Sequence, residues 1–322
     1  MALIDELDAR LIVLLCHHNA DPDAVCAAYA LSQLLRRLRP KLSIEIAAAG
    51  GPSKLSKFLF NELPVELTTQ PPIEEAALLI LLDTNTIQQL DEWSERVKAS
   101  NSPVIVIDHH AGHPETERLA TLCIADEEAS STCEIVYNFF KEMKVELAET
   151  EAKALFLGMA FDTRHFILAK SSTYKAVAEL VDVGVKTEDA LSLLSLPMES
   201  SERIARLKAG QRVKLIKIND WIIVLSHVSA YQASAARALI GLGAHVAIVA
   251  GQRGENIQIS LRSSRDFHRG TGIHLGRDIA NPLGAYLHGM GGGHATSAGA
   301  NGVGDLEAGL KRCVRLLKDK VK

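Results

Sequence analysis

Three continuous apolar runs of strand length constrain this 322-residue chain more than any other feature, because each runs directly into acidic or imidazole side chains. Leu11–Cys16 (LIVLLC) leads into His17-His18-Asn19-Ala20-Asp21-Pro22-Asp23. Ala77–Leu82 (ALLILL) leads into Asp83-Thr84-Asn85, and Val104–Ile107 (VIVI) into Asp108-His109-His110. A strand that is apolar on both faces belongs in a parallel sheet covered by helices on both sides. Helical patterns do separate the runs. Pro22–Leu38 carries Ala24, Ala27, Ala28, Leu31, Leu34, Leu35 and Leu38 at helical spacing, with Asp21 as N-cap and Pro22 at the first helical position. A further strand is expected at Leu42–Ala48 and a helix near Ile87–Ala99. The expected fold is α/β: a mostly parallel sheet with helices on both faces, plus a second, smaller α/β domain. In such a sheet every strand C-terminus opens on the same edge, where ligand sites form. Separate segments would thus deliver carboxylates and imidazoles to one crevice. Asp162, after the apolar stretch Leu155–Phe161, is another candidate.

From Ser130 to about Ser195 the pattern is mainly helical. The expected division is a first domain over 1–195, a linker over 196–210 and a second domain over 211–322. The second domain should open with strands Arg212–Ile218 and Trp221–Ser226, turned at Asn219-Asp220. A helix at Gln232–Ile240, strands His245–Ala250 and Asn256–Arg262, and a helix near Leu306–Lys318 follow. Charge divides along the same line. Residues 1–200 hold 17 Lys+Arg against 31 Asp+Glu, and residues 201–322 hold 18 against 8. An acidic half suits cations and a basic half suits an anionic ligand. The longest apolar run, Ala76–Leu82, is far short of a membrane span. The acidic start (Asp5, Glu6, Asp8) is the opposite of a signal peptide. Five scattered cysteines read as buried thiols in a reducing, cytoplasmic setting, neither a disulfide frame nor a zinc site.

Taken singly, Asp21 is explained as a helix cap and Asp83 as a turn residue. Their joint placement with the histidines at strand ends is not, because independent caps need not fall on one edge. Oxygen donors with some imidazole suit Mn²⁺ or Mg²⁺ better than a thiolate site would. Four carboxylates (Asp21, Asp23, Asp83, Asp162) with neutral His17 and His109 would balance two divalent ions. Near the C-terminus, Gly291-Gly292-Gly293 would let backbone N–H groups approach an anion, and His294 could add a hydrogen bond or charge.

These motifs, in this order, resemble the DHH phosphoesterase superfamily: His17-x-x-x-Asp21-x-Asp23-Ala24, the Asp83 strand end, Asp108-His109-His110 and Asp162-Thr163. Gly291-Gly292-Gly293-His294 with Ser297-Ala298-Gly299 is similar to the GGGH motif of the DHHA1 domain, which accompanies the RecJ-type, nanoRNase and cyclic-dinucleotide phosphodiesterase branches. The resemblance implies that His17, Asp21, Asp23, Asp83, His109 and Asp162 are metal ligands, with Asp83 and Asp162 bridging. It implies two divalent ions, Mn²⁺ before Mg²⁺. Asp108 would orient an imidazole, His110 would face the phosphate, and Arg262 resembles the phosphate-gripping Arg of the second domain. Ala20 stands where the family usually has Pro, and Arg164 where close relatives often have Gly. The implied activity is hydrolysis of short oligonucleotides to mononucleotides. The alternatives are a RecJ-like exonuclease, a cyclic-dinucleotide phosphodiesterase, a 3′-phosphoadenosine 5′-phosphate phosphatase and a non-catalytic replication scaffold. Inorganic pyrophosphatase is disfavoured because that branch carries a different C-terminal domain. A homodimer and a replication or repair partner stay open. Short substrates are expected because a long strand would want a continuous basic track with aromatic platforms, and aromatics make up only 5% of the chain.

Overall fold

Leu11–Cys16 forms β1 in a computed structural model that describes residues 1–321. It lies inside an all-parallel sheet with β2 (Ser43–Ala48), β3 (Leu78–Leu82), β4 (Val104–Asp108) and β5 (Leu122–Ala125), in the order β2-β1-β3-β4-β5. Both faces are covered, as the unbroken apolar runs require. Ile12 and Leu14 pack toward Ala24, Ala27, Ala28 and Leu155, while Val13 and Leu15 pack toward Ile73, Trp93 and Val97. The chain leaves β1 for β2 on one side and later returns to β3 on the other. The order therefore reverses between β1 and β3, which leaves a crevice at their C-terminal ends.

The helices that close this unit include Pro22–Leu38, Thr132–Met143 and Glu149–Asp162. The expected helix near Ile87–Ala99 is two pieces, a 3₁₀ turn at Ile87–Leu90 and a helix at Trp93–Ala99, parted at Asp91 with φ +46°. β5 had no clear signal in the sequence. It is an edge strand with Leu122 46% exposed, so its apolar run is short and broken by polar neighbours.

The chain divides into two compact units, Met1–Leu196 and from Pro197 onward. Most of the stretch read as a linker is a helix, Ser200–Gln211, and it belongs to the second unit. Ala209 is fully buried with Val224, Ala235 and Leu239. One small alanine stripe on an otherwise charged segment was too thin to mark a packed helix.

The second unit holds a mixed sheet in the order β10-β11-β9-β8-β7-β6. The strands are β6 (Lys214–Ile218), β7 (Trp221–His227), β8 (Val246–Arg253), β9 (Asn256–Ser263), β10 (Met290–Gly293) and β11 (Ser297–Val303). Only β7 and β8 pair in parallel. On one face, the helix Gln232–Gly241 places Ala235, Ala236 and Leu239 over Ala247 and Val249. On the other, Cys313 and Leu317 of the helix Leu306–Lys320 join Ile248, Ile259 and Leu261. Apart from the terminal Met290 and Val303, β10 and β11 are built from Gly, Ala, Ser and Asn, mostly residues of low strand propensity, so the sequence did not announce them. Among the described residues, no helix is long and apolar enough to cross a membrane.

Candidate metal centre

The crevice between β1 and β3 brings together six side chains from five segments. His17 and Asp21 follow β1, Asp23 lies in the first turn of the helix that begins at Pro22, Asp83 ends β3, His109 follows β4, and Asp162 ends a helix. Three groups of potential donors converge: His17, Asp21 and Asp83 in the first, Asp23, His109 and Asp162 in the second, and Asp83, Asp108, His109 and His110 in the third. His109 joins the second to the third, and Asp83 joins the first to the third. Its Oδ2 lies 3.7 Å from His17 Nε2, and its Oδ1 lies 3.6 Å from His109 Nε2. Asp162 falls in the second group alone, with Oδ2 2.9 Å from His109 Nε2. The geometric candidate for a shared carboxylate is therefore Asp83 by itself.

Helix capping explains how these groups are held. Asp21 caps the helix Pro22–Leu38, its Oδ1 accepting the N–H groups of Asp23 (3.0 Å) and Ala24 (3.2 Å). The helix cap is therefore also one of the potential donors. Asp23 is fully buried against the N-terminus of the helix Thr132–Met143. Its two oxygens accept the backbone N–H groups of Thr132 (2.6 Å) and Cys133 (3.0 Å). A helix N-terminus offers unpaired N–H donors and a favourable dipole to a carboxylate. Thr132 also donates its hydroxyl to Asp83 Oδ1 at 3.2 Å. The sequence reading missed Thr132 and Cys133. Their signal was the capping pattern Ser131-x-x-Glu134, which places a helix start there but does not say that it faces the crevice.

The donor chemistry fits divalent cations. Asp23 and Asp83 are buried, and no Lys or Arg approaches Asp21, Asp23, Asp83 or Asp162 within ion-pair distance among the described residues. Clustered buried carboxylates without a cation are costly. Burial, reinforced by Asp162, Asp83 and Asp21, holds the Asp23 carboxyl well above its ordinary range. Burial likewise raises Asp162. Burial opposes ionisation of Asp83 too, yet contact with His110 and His17 brings it below the usual carboxylate range. His17 is pushed up to about 10: burial works against the charge, but Asp21 and Asp83 outweigh it. Its Nδ1 faces the His18 carbonyl at 2.8 Å. An Nδ1–H donated there leaves Nε2 free to bind a metal. His109 Nε2 is buried without a hydrogen-bond partner despite its nearness to Asp162, as expected of two ligands aimed at one point.

Asp108 is 1% exposed, and its Oδ1 accepts both the backbone N–H and ring Nδ1 of His110, each at 2.8 Å. Contact with Asp108 and Asp83 raises His110 to about 10, so this half-exposed ring is cationic at neutral pH. Arg164, two residues beyond Asp162, has φ +51°, followed by His165 at +58° and Phe166 at +66°. This left-handed run is the physical reason a glycine would be at home at position 164.

The remaining candidates lie in the second unit. Gly291, Gly292 and Gly293 lie in β10, paired antiparallel with β11, so the backbone N–H groups expected to approach an anion belong to a strand. Gly291 is required by packing, since a Cβ there would stand 1.8 Å from the Ala280 carbonyl oxygen, and Gly293 by φ +132°. His294 is exposed, and its N–H donates to the Ser297 carbonyl at 2.7 Å. Arg262 is half-buried on β9 with no carboxylate in ion-pair reach among the described residues, and burial with the neighbouring Arg237 lowers its pKa. Of the five cysteines, Cys16, Cys26, Cys133 and Cys313 are buried thiols as expected, but Cys123 on β5 is exposed.

The DHH family, N-terminal domain, matches residues 11–159. An uncharacterised protein of Methanocaldococcus jannaschii is 34% identical over 98% of this chain and 94% of its own length. The bifunctional oligoribonuclease and PAP phosphatase NrnA of Bacillus subtilis is 27% identical over 66% of this chain and 61% of its own. A probable manganese-dependent inorganic pyrophosphatase of Streptococcus equi subsp. equi is 30% identical over 54% and 56%. The crystal structure of an exopolyphosphatase-related protein from Bacteroides fragilis covers 99% of this chain and 96% of its own, with a TM-score of 0.62 at 22% identity, a likeness of fold. The chain belongs to the DHH family of phosphoesterases.

Proposed function

We propose that the chain hydrolyses phosphodiester bonds in short oligonucleotides and releases mononucleotides, using two divalent cations, Mn²⁺ ahead of Mg²⁺. The observation that carries this reading is the convergence of His17, Asp21, Asp23, Asp83, His109 and Asp162 at the β1–β3 crevice, with no Lys or Arg within ion-pair distance of the four carboxylates among the described residues. His17, Asp21 and Asp83 would hold one ion, and Asp23, His109 and Asp162 the other. Bound there, the ions supply hydroxide at neutral pH and offset charge developing on phosphorus-bound oxygens. The chain's own contribution is positioning and charge. Thr132 and Cys133 fix the Asp23 carboxylate, and Thr132 also fixes Asp83. Asp108 holds the His110 ring, whose charged form can donate to a phosphate oxygen. In the second unit, Arg262 and His294 are the candidate contacts to further phosphates, and the surplus of basic residues there suits an anionic substrate.

The likeness to an oligoribonuclease and PAP phosphatase supports a nucleotide substrate. The likeness to pyrophosphatases supports a second reading, hydrolysis of inorganic pyrophosphate, with manganese as the metal in either case. Turnover with Mn²⁺ across a panel separates them: RNA and DNA from dinucleotide upward, a cyclic dinucleotide, 3′-phosphoadenosine 5′-phosphate and pyrophosphate. The proposal expects the highest kcat/KM on the shortest oligonucleotides. Faster, processive degradation of long strands would replace it with a RecJ-like exonuclease.

A further inference from the structure

On β9, Ile257, Ile259 and Leu261 face the core, so the intervening Gln258, Ser260 and Arg262 share the opposite face. The register continues that face across the sheet. Ser297, Gly299 and Asn301 of β11 lie opposite Arg262, Ser260 and Gln258, and Gly292 and Met290 of β10 lie opposite Gly299 and Asn301. The helix Gln232–Gly241 covers this face over β8 and packs on β9 as well, with Arg237 beside Arg262. Beyond it, Gln258 and Ser260 of β9 border an open recess of about 270 Å³ that extends over β11 and β10.

Two glycines side by side make its floor, and neither is explained by the fold. Gly292 and Gly299 have no left-handed φ. A Cβ at Gly292 would meet nothing nearer than Asn281 Oδ1 at 3.7 Å, and one at Gly299 would meet the Ile259 carbonyl oxygen at an ordinary 3.4 Å. Glycine in a strand interior costs roughly 0.5–1 kcal/mol relative to alanine, so an unforced pair calls for another cause. Ser260 supplies independent evidence. It is 7% exposed, its hydroxyl has no partner among the described residues, and it lines the recess. At the far end, Asn301 Oδ1 accepts the Met290 N–H at 3.2 Å, which leaves its amide NH₂ free, and the Gln258 amide is unpaired among the described residues.

We propose that this recess is a nucleobase subsite, in which the base lies flat on the peptide surface of Gly292 and Gly299 while Ser260, Gln258 and Asn301 meet its polar edge. The inference rests on the nucleotide-substrate reading and deepens it. Strand rise is about 3.3 Å per residue, so Ser260 stands roughly 7 Å along β9 from Arg262, and Gln258 roughly 13 Å. A phosphate held by Arg262 would therefore have its own base above the glycine pair, and Gln258 and Asn301 would border the outer edge. An apolar partner surface fits poorly, since the walls are amides and a hydroxyl.

The test is equilibrium binding of adenosine 5′-monophosphate and of ribose 5-phosphate to the full chain, with thermal melting of the variants. The native chain should bind the nucleotide about tenfold more tightly, the lower end of what a stacked base contributes. Gly292→Val and Gly299→Val should hold or raise the melting temperature while reducing that ratio to near one. Gln258→Ala, an exposed change that leaves the fold alone, should reduce it partially. Equal binding of the two ligands by the native chain, or a preference retained in the folded valine variants, overturns the subsite. Turnover is not involved, so absence of metal-dependent hydrolysis would sink the activity reading separately.

Discussion

A Cβ placed on Gly158 would stand 2.8 Å from Asp23 Oδ1 and 2.2 Å from Cys133 Sγ. The helix Glu149–Asp162 thus passes so near the buried carboxylate that only a hydrogen fits between them. Gly158→Ala gains about 1 kcal/mol of helix propensity and incurs about 1–3 kcal/mol of overpacking. The melting temperature should therefore fall only modestly. Displacement of Asp23 should weaken Mn²⁺ binding by about 10-fold or more, the scale of losses when a supporting partner of a ligand is disturbed. Calorimetric titration with Mn²⁺ and a thermal melt, run side by side, separate the two effects.

Asp83 and Asp162 should differ in what their removal does. Asp83→Ala takes away the one carboxylate that reaches both proposed ion sites and should abolish binding of both ions. Asp162→Ala should leave the His17–Asp21–Asp83 group able to hold one. Both should lower kcat by at least ~10²-fold. Neither should unfold the metal-free protein, because each removes one of several like charges in close quarters. Metal stoichiometry measured by atomic emission on the dialysed variants reads the difference.

Legibility followed burial and hydrogen bonding. The parallel sheet was readable because strands β1, β3 and β4 are apolar on both faces, and the six ligand candidates were readable because they follow those strands or end a helix. Thr132 and Cys133 were not, since both hold Asp23 through backbone N–H groups that every residue type except proline carries, and only Thr132 adds a side-chain contact, to Asp83. The strands at Met290–Gly293 and Ser297–Val303 were hidden by glycines, of which Gly291 and Gly293 serve packing and a left-handed φ. The charged helical stretch at Ser200–Gln211 was legible, but its membership of the second unit was not, because Ala205 and Ala209 are its only buried side chains.

Metal affinity should fall as pH falls. In the metal-free protein, against burial, Asp21 and Asp83 push His17 up to about 10, and burial raises Asp23 above the usual carboxylate range. His17 therefore gives up a proton when a cation binds at neutral pH, and the upward shift of Asp23 adds to the pH dependence in the same direction. Calorimetry in two buffers of different ionisation enthalpy should show proton release on Mn²⁺ binding. The metal-free fold has the opposite sensitivity at His17. Its raised pKa contributes stability that is complete below about 6.5 and is lost as pH rises through about 10. A His17→Asn variant should flatten that alkaline decline in the melting temperature.

Arg262→Ala and His294→Ala should raise KM by roughly 10- to 100-fold, corresponding to about 1.5–3 kcal/mol for a charge-assisted contact. The change should be larger in KM than in kcat if the contact is equal in ground and transition states. Bound metal should be unchanged, since both residues lie outside the unit that carries the donor groups. Steady-state kinetics on a dinucleotide with metal analysis of the same preparations checks both statements.

The most direct test of the account is where manganese binds. Crystals grown with Mn²⁺ and recorded at its absorption edge should give two anomalous peaks at the C-terminal ends of β1 and β3. One should lie among His17, Asp21 and Asp83, and the other among Asp23, His109 and Asp162, with Asp83 touching both. No peak in that crevice at saturating Mn²⁺, or peaks only at other residues, would contradict the account.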